Sequence, residues 1–378
     1  MRIVAALSVV LGGAVAAAAP IAHWDAGAGG FIDDGYALRS DGKAAAFITT
    51  DGATKATLHL ADVGGADTTI EGAPIDAGAI YWLGPARVLI VRAHDGVATA
   101  QVFTQAGAGP QTLGPFGQLA IGKVGGKPAI VTYTRVEKSG VEHALVAYSV
   151  DNLRPIKKRS WKEDNEGQIK QGALVVKPLW WADDFTTLIA SRAGEYDKAH
   201  DIRRPDRSVK LDAFTGKVLE EKEVEDVMAF TKVALLRRET ANQPVIVHWS
   251  EDRKQLLLLD GNIDRELTLP RALDKYDPAT LGFQLLDAQK VALSLTIDPV
   301  NPEAVKRQKA DVDDLDIYAI DRKTLAATLW LRLPGQQRPS SWRIVGNRLL
   351  LMRKGKGFDR GGVTLEVYDL PDAATAPN

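Results

Sequence analysis

Between Leu38 and Gly65 the chain reads LRSDGKAAAFITTDGATKATLHLADVGG, and its polarity changes every few residues. Ser40-Asp41-Gly42-Lys43 has turn composition, and residues 44–49 form a short apolar run. Asp51-Gly52 is a hairpin signal, because glycine takes the positive φ that a tight turn demands. In residues 57–62, Leu58 and Leu60 alternate with His59 and Ala61, the period of two expected of a half-buried strand. Val63-Gly64-Gly65 turns the chain again, and residues 67–70 supply a last strand. The pattern predicts an antiparallel meander of four strands.

The same grammar recurs along the chain. A second unit has strands at 80–84, 87–92 and 99–104, and a third at 119–121, 128–134 and 144–150. The fourth has strands at 179–181, 187–191, 208–214 and 218–224. The fifth has 228–236, 245–249, 255–260 and 266–269. The sixth has 283–286, 291–297, 316–320 and 328–333. The seventh shows 341–345, 348–353 and 363–368. Units spaced by roughly 40–55 residues match the period of propeller blades. One small meander cannot bury both of its faces, whereas blades packed face to face round an axis bury them all. The fold class expected is therefore all-β: a single β-propeller over residues 20–370, with seven blades of four-stranded antiparallel sheet. The irregular fifth unit leaves six or eight blades as alternatives. The seventh unit lacks a fourth strand, and residues 21–25 are predicted to supply it and close the ring, satisfying an edge otherwise left open.

Ser40-Asp41-Gly42-Lys43, Ala46-Phe47-Ile48-Thr49, Leu58-His59-Leu60-Ala61-Asp62 and Gly64-Gly65 resemble the WD40-like repeat of TolB-type propellers. Asp316-Ile317-Tyr318-Ala319-Ile320-Asp321 is similar to the third strand of that repeat. The resemblance implies a propeller, and TolB-type propellers resemble periplasmic scaffolds that bind partner proteins.

The N-terminus changes the compartment expected. Arg2 is followed by an apolar run to Ala16 and by alanines to Ala19, the order of a secretory signal peptide. Pro20 would block cleavage after Ala19, so cleavage is expected after Ala18, giving a leader at 1–18 and a periplasmic or secreted product. Residues 371–378 read as a disordered tail. The chain has no cysteine, which excludes disulfides, thiol chemistry and thiolate metal sites. Its 47 Lys and Arg against 48 Asp and Glu give no field that favours nucleic acid or a membrane surface.

Long connections between second and third strands, at 135–143, 192–207, 298–315 and 354–362, would decorate one end of the propeller. Loops of this length are recognition surfaces or neutral variation with equal ease. Asn301-Pro302-Glu303 has the form of a helix start. The insertion at 192–207 mixes both charges with Tyr196 and His200. Together with Trp181, Arg203 and Arg204 it is the candidate partner-binding set, since aromatics and Arg dominate binding hot spots. Asp34, Asp76, Asp226 and Asp277 stand before first strands. They are candidate ligands for Ca²⁺, which wants six to eight oxygens, although Asp in such turns also accepts nearby backbone N–H groups. Residues 311–316 read as a solvated acidic loop without the glycine and glutamate of an EF-hand. No Gly-x-Ser-x-Gly elbow, His-Glu-x-x-His pair or phosphate loop is present. The function expected is a monomeric, non-catalytic, exported propeller that binds a protein or envelope partner without a cofactor or membrane insertion after leader cleavage. The alternative is a divalent-cation-dependent hydrolase or lyase acting at the channel mouth, and a third reading is a structural envelope protein without a ligand.

Overall fold

A computed structural model describes residues 19–25, 30–51, 54–95, 97–137, 140–171, 174–181, 185–194, 196–224, 245–260, 263–287, 289–297, 313–336, 341–354 and 362–371. The leader expected at 1–18 and the tail expected beyond Pro371 lie outside these residues. So do the helix start at 301–303, the strand expected at 228–236 and the core of the insertions at 298–315 and 354–362.

The architecture is a seven-bladed propeller of small antiparallel sheets. β1 (Ala22–Asp25) comes first. Blade one is β2 (Phe31–Leu38), β3 (Ala44–Thr50), β4 (Ala56–Asp62) and β5 (Asp67–Ala73). Blade two is β6 (Ala77–Gly84), β7 (Arg87–His94), β8 (Val97–Thr104) and β9 (Gly107–Phe116). Blade three is β10 (Gln118–Val124), β11 (Lys127–Glu137), β12 (Val141–Ser149) and β13 (Pro155–Lys162). Blade four opens with the short β14 (Ile169–Gln171) beside β15 (Leu174–Trp181) and β16 (Thr187–Arg192). A hairpin of β17 (Tyr196–Asp197) and β18 (Ile202–Arg203) follows, then β19 (Arg207–Asp212) and β20 (Val218–Glu223) complete the blade. Blade five shows β21 (Val245–Trp249), β22 (Leu256–Asp260) and β23 (Ile263–Glu266). Blade six is β24 (Gly282–Leu285), β25 (Lys290–Ile297), β26 (Asp313–Asp321) and β27 (Ala327–Gln336). Blade seven is β28 (Ser341–Val345), β29 (Arg348–Lys354) and β30 (Gly362–Asp369).

The ring closes as the sequence predicts. β1 pairs antiparallel with β30, setting Trp24 opposite Leu365 and His23 opposite Glu366, and becomes the outer strand of blade seven. Hydrophobic burial explains why the blades close into a ring. The apolar clusters lie between neighbouring sheets, each drawing on two blades. One joins blades one and two through Ile48, Leu58, Val88 and Ile90, and another joins blades seven and one through Phe47, Leu350 and Leu365. Others join two to three, three to four, five to six and six to seven. A blade taken alone would expose half of each cluster to water. The turns are fixed locally: the side chains of Asp41, Asp212, Asp287 and Asp321 each accept backbone N–H groups two or three residues on.

Four expectations change. Residues 135–143 are no insertion, because β11 and β12 stay paired through Arg135–His143, Val136–Glu142 and Glu137–Val141 and form a long hairpin. The third unit, read with three strands, has a fourth at Pro155–Lys162, and its charges fit because it is an outer strand with solvent at its edge. The outer strand of blade five begins at Ile263 rather than 266, with Ile263 paired to Asp260. The supposed solvated acidic loop enters β26, where Asp314 and Asp316 are buried. Burial of Asp316 is tolerated because Arg332, its register partner on β27, neutralises it.

Candidate functional site

The insertion of blade four is an ordered hairpin standing between the second and third strands. Tyr196 faces Arg203 and Asp197 faces Ile202 in its ladder. At its base Gly194 N–H donates to Asp206 Oδ1 at 2.9 Å. The two arms touch there so closely that a Cβ on Gly194 would lie 1.7 Å from the Arg204 carbonyl oxygen. Glycine is therefore the residue this crossing admits. Below it, Glu221 Oε1 accepts from both Arg192 (3.4 Å) and Arg207 (3.2 Å), fastening the hairpin to the sheet. At its tip the Tyr196 hydroxyl donates to the Asp201 carboxylate. Tyr196 is 56% and Ile202 55% exposed, and His200 and Arg204 are exposed as well. Trp181 lies on β15 of the same blade, opposite Leu188. Four members of the predicted partner-binding set thus share one hairpin, and the fifth lies on the first strand of its blade.

The four aspartates are placed differently from one another. Asp34 lies within β2, not before it. Asp76 is bound at both oxygens by Arg92 (2.8 and 3.0 Å), which holds its carboxyl below the usual range. Asp277 caps a 3₁₀ turn by accepting from Ala279 N–H at 2.9 Å. Asp226 lies outside the described residues. No group of three or more His, Asp or Glu among the described residues is arranged to hold a metal ion, and no helix among them is long and apolar enough to cross a membrane.

Two buried polar clusters were not foreseen. In blade six, Arg332 donates to both oxygens of Asp316 at 2.6 Å, and the Tyr318 hydroxyl donates to Oδ2 at 3.2 Å. Burial, and then the Asp316 charge, push the Tyr318 hydroxyl far above its usual pKa. In blade three, His143 Nε2 donates to Glu163 Oε1 at 2.7 Å and its Nδ1 accepts from the Tyr133 hydroxyl at 2.7 Å. The imidazole is stacked on Trp161 with ring centroids 5.5 Å apart. Burial lowers its pKa and Glu163 only partly offsets this, which fits a neutral ring. These are the residues that allow polar groups into sheet interiors.

A central cavity of about 720 Å³ is walled by the first strands of blades one, two, three, six and seven. Its wall is aromatic: Tyr36, Tyr81, Trp82, Phe283 and Trp342. Gly282 makes room for Trp342, since a Cβ there would stand 3.2 Å from the indole nitrogen. Trp342 Nε1 donates to Ser294 Oγ (2.8 Å) and Trp82 Nε1 to the Ala37 carbonyl (3.2 Å). The Gln284 amide is engaged at both ends by the backbone of Ile344 (2.6 and 2.8 Å). The Arg343 guanidinium lies 5.5 Å from the Tyr36 ring centroid. The lining was legible in principle. The first strands of units two, six and seven were located with their aromatics, and the first strand is the innermost, whereas the strand carrying Tyr36 was not read.

No family model matches the chain, and no curated protein does. Among solved structures it is similar to the β-propeller domain of the trilobed protease from Pyrococcus furiosus, at 11% identity over 86% of this chain and 91% of that one, TM-score 0.40. It is also similar to the WD40 domain of coronin from Toxoplasma gondii, at 9% identity over 91% of this chain and 82% of that one, TM-score 0.41. A third is the WD40 domain of SCAP from fission yeast, at 9% identity over 90% and 82% of the two chains, TM-score 0.39.

Proposed function

We propose that this chain is an exported, non-catalytic propeller that binds a protein partner of the cell envelope with the hairpin of blade four as its anchor. The observation that carries the reading is the exposure of Tyr196 and Ile202 on a hairpin held in place at base and tip. Side chains alternate between the two faces of a strand, and Tyr196 pairs with Arg203 while Ile202 pairs with Asp197. The two apolar residues therefore stand on opposite faces. A hairpin with an apolar side chain on each face is suited to entering a cleft rather than lying on a flat surface. Exposed apolar residues beside cations have the composition of an interface anchor, and the internal bonds of the hairpin reduce the ordering cost of association. Export rests on the leader read at 1–18.

A photo-crosslinking side chain at position 200 tests the reading in envelope preparations. One discrete adduct is expected, lost when Tyr196→Ala and Ile202→Ala are combined. An adduct pattern unchanged by the double substitution would remove the hairpin as anchor. N-terminal sequencing of the mature protein is expected to begin at Ala19.

A further inference from the structure

We propose that the central cavity is a second binding site, for a neutral disaccharide. It stands on different elements from the hairpin and does not depend on a protein partner. Its volume of about 720 Å³ lies in the upper half of the roughly 300–1,000 Å³ that holds small organic ligands, which suits two pyranose rings rather than one.

A pyranose ring presents apolar C–H faces and a rim of hydroxyls, and the lining offers a surface for each. Phe283 on blade six and Trp82 on blade two are three blades apart in a ring of seven, so they stand nearly opposite each other across the axis. Trp342, on blade seven, adds a third aromatic between them. Aromatic side chains on both sides meet both C–H faces of a flat sugar, and each contact gains dispersion. The rim is met by hydroxyls. The indole N–H groups of Trp82 and Trp342 already donate to Ala37 and Ser294, and the Gln284 amide already serves Ile344. Ser40 and Ser341 line the same cavity, and their hydroxyls make no hydrogen bond among the described residues. A serine hydroxyl both donates and accepts, as a sugar hydroxyl does. A ligand without hydroxyls would strip water from these two serines and return no partner. Charge favours a neutral body. No carboxylate lines the cavity among the described residues to meet a cation, and an anion would compete for Arg343 with the Tyr36 ring that it lies over. The wall is also preformed, being built of paired strands with Trp342 seated against Gly282.

The test uses the full-length protein and cellobiose, followed by tryptophan fluorescence and by calorimetry. Saturable one-to-one binding is expected. Ser40→Ala combined with Ser341→Ala is expected to weaken it about tenfold, the contribution of two neutral hydrogen bonds. Phe283→Leu keeps the apolar volume and removes the ring, and is expected to weaken binding about fivefold. Thermal unfolding of both variants checks that the fold is kept. Lactose differs from cellobiose in one axial hydroxyl that interrupts a C–H face, and is expected to bind about tenfold more weakly. Absence of cellobiose binding at millimolar concentration would overturn the proposal. So would equal binding of lactose, or indifference to the serine pair or to Phe283→Leu. Cellohexaose separates the two sources of such a ligand: binding as tight as that of cellobiose assigns a chain end, and loss of binding assigns a free disaccharide. Combining Tyr196→Ala with Ile202→Ala is expected to leave cellobiose affinity unchanged, which separates this site from the hairpin.

Discussion

Arg348 Nη1 donates to the carbonyl oxygen of Gly42 at 2.6 Å, joining residues 306 positions apart in the chain. The bond ties the second strand of blade seven to the first turn of blade one. Gly42 is needed there twice: its φ is +70°, and a Cβ would stand 2.9 Å from Arg348 Cδ. Gly42→Ala is expected to cost about 1–2 kcal/mol for the left-handed backbone alone, with a further loss as Arg348 is displaced. Urea denaturation reads it as a lower midpoint with an unchanged slope. An unchanged midpoint would mean that this turn does not help to hold the ring.

Closure by β1 is the second testable feature. Trp24 lies opposite Leu365, with its ring centroid 5.3 Å from that of Phe47 in blade one. Trp24→Ala is expected to cost about 2 kcal/mol, below the roughly 3–5 of a fully buried tryptophan because this one is half-buried. Truncation to residue 26 is expected to leave β30 as an open edge. Limited proteolysis would then cut first within blade seven.

The Asp316–Arg332 pair is completely buried on its acidic side. Asp316→Ala is expected to destabilise by roughly 3–5 kcal/mol, since it strands the guanidinium among apolar neighbours. The double change Asp316→Leu with Arg332→Met is expected to recover most of that loss. A double-mutant cycle in thermal unfolding decides whether the pair or the volume matters.

Alkali is expected to weaken the fold through its buried tyrosines. Burial, followed by the Glu366 carboxylate that accepts from its hydroxyl, pushes Tyr368 from 10.0 up to about 12. A raised folded pKa means the unfolded chain releases its proton first. The stabilising contribution is complete below pH 10 and is lost as pH rises through about 12. Tyr276 and Tyr318 shift in the same direction. Tyr368→Phe is expected to flatten the decline of stability above pH 10, measured by urea unfolding across that range.

Acid acts through His143 with the opposite slope. Burial lowers its pKa from 6.5, so the unfolded state takes up the proton first. The contribution is complete above pH 6.5 and is lost as pH falls below it towards the folded value. The ring proton shifts of His143 are expected to titrate below those of a model histidine, and His143→Gln to remove part of the acid sensitivity below pH 6.5.

The blades were legible because a strand writes its own signature. Leu58 and Leu60 alternate with polar neighbours, and Asp-Gly and Gly-Gly turns mark the corners, so strands separated by a few residues are specified locally. Ring closure by residues 22–25 was legible from a deficit, since one unit lacked a strand and one strand lacked a unit. The acidic stretch before Ile317 misled for the complementary reason. Asp316 is compensated by Arg332, sixteen residues away on the next strand, and nothing near it in sequence announces that partner.

The sequence by itself determined the repeat, the all-β class, the absence of thiol chemistry and the location of the exposed hairpin. Each depends on residue type and short-range spacing. Tertiary structure alone decided which charges are buried in pairs and that aromatics from four first strands share one cavity. It also decided that Asp76 is occupied by Arg92. Those facts depend on distances between residues far apart in the chain, which become defined only when packing between blades sets the angle of each sheet round the axis.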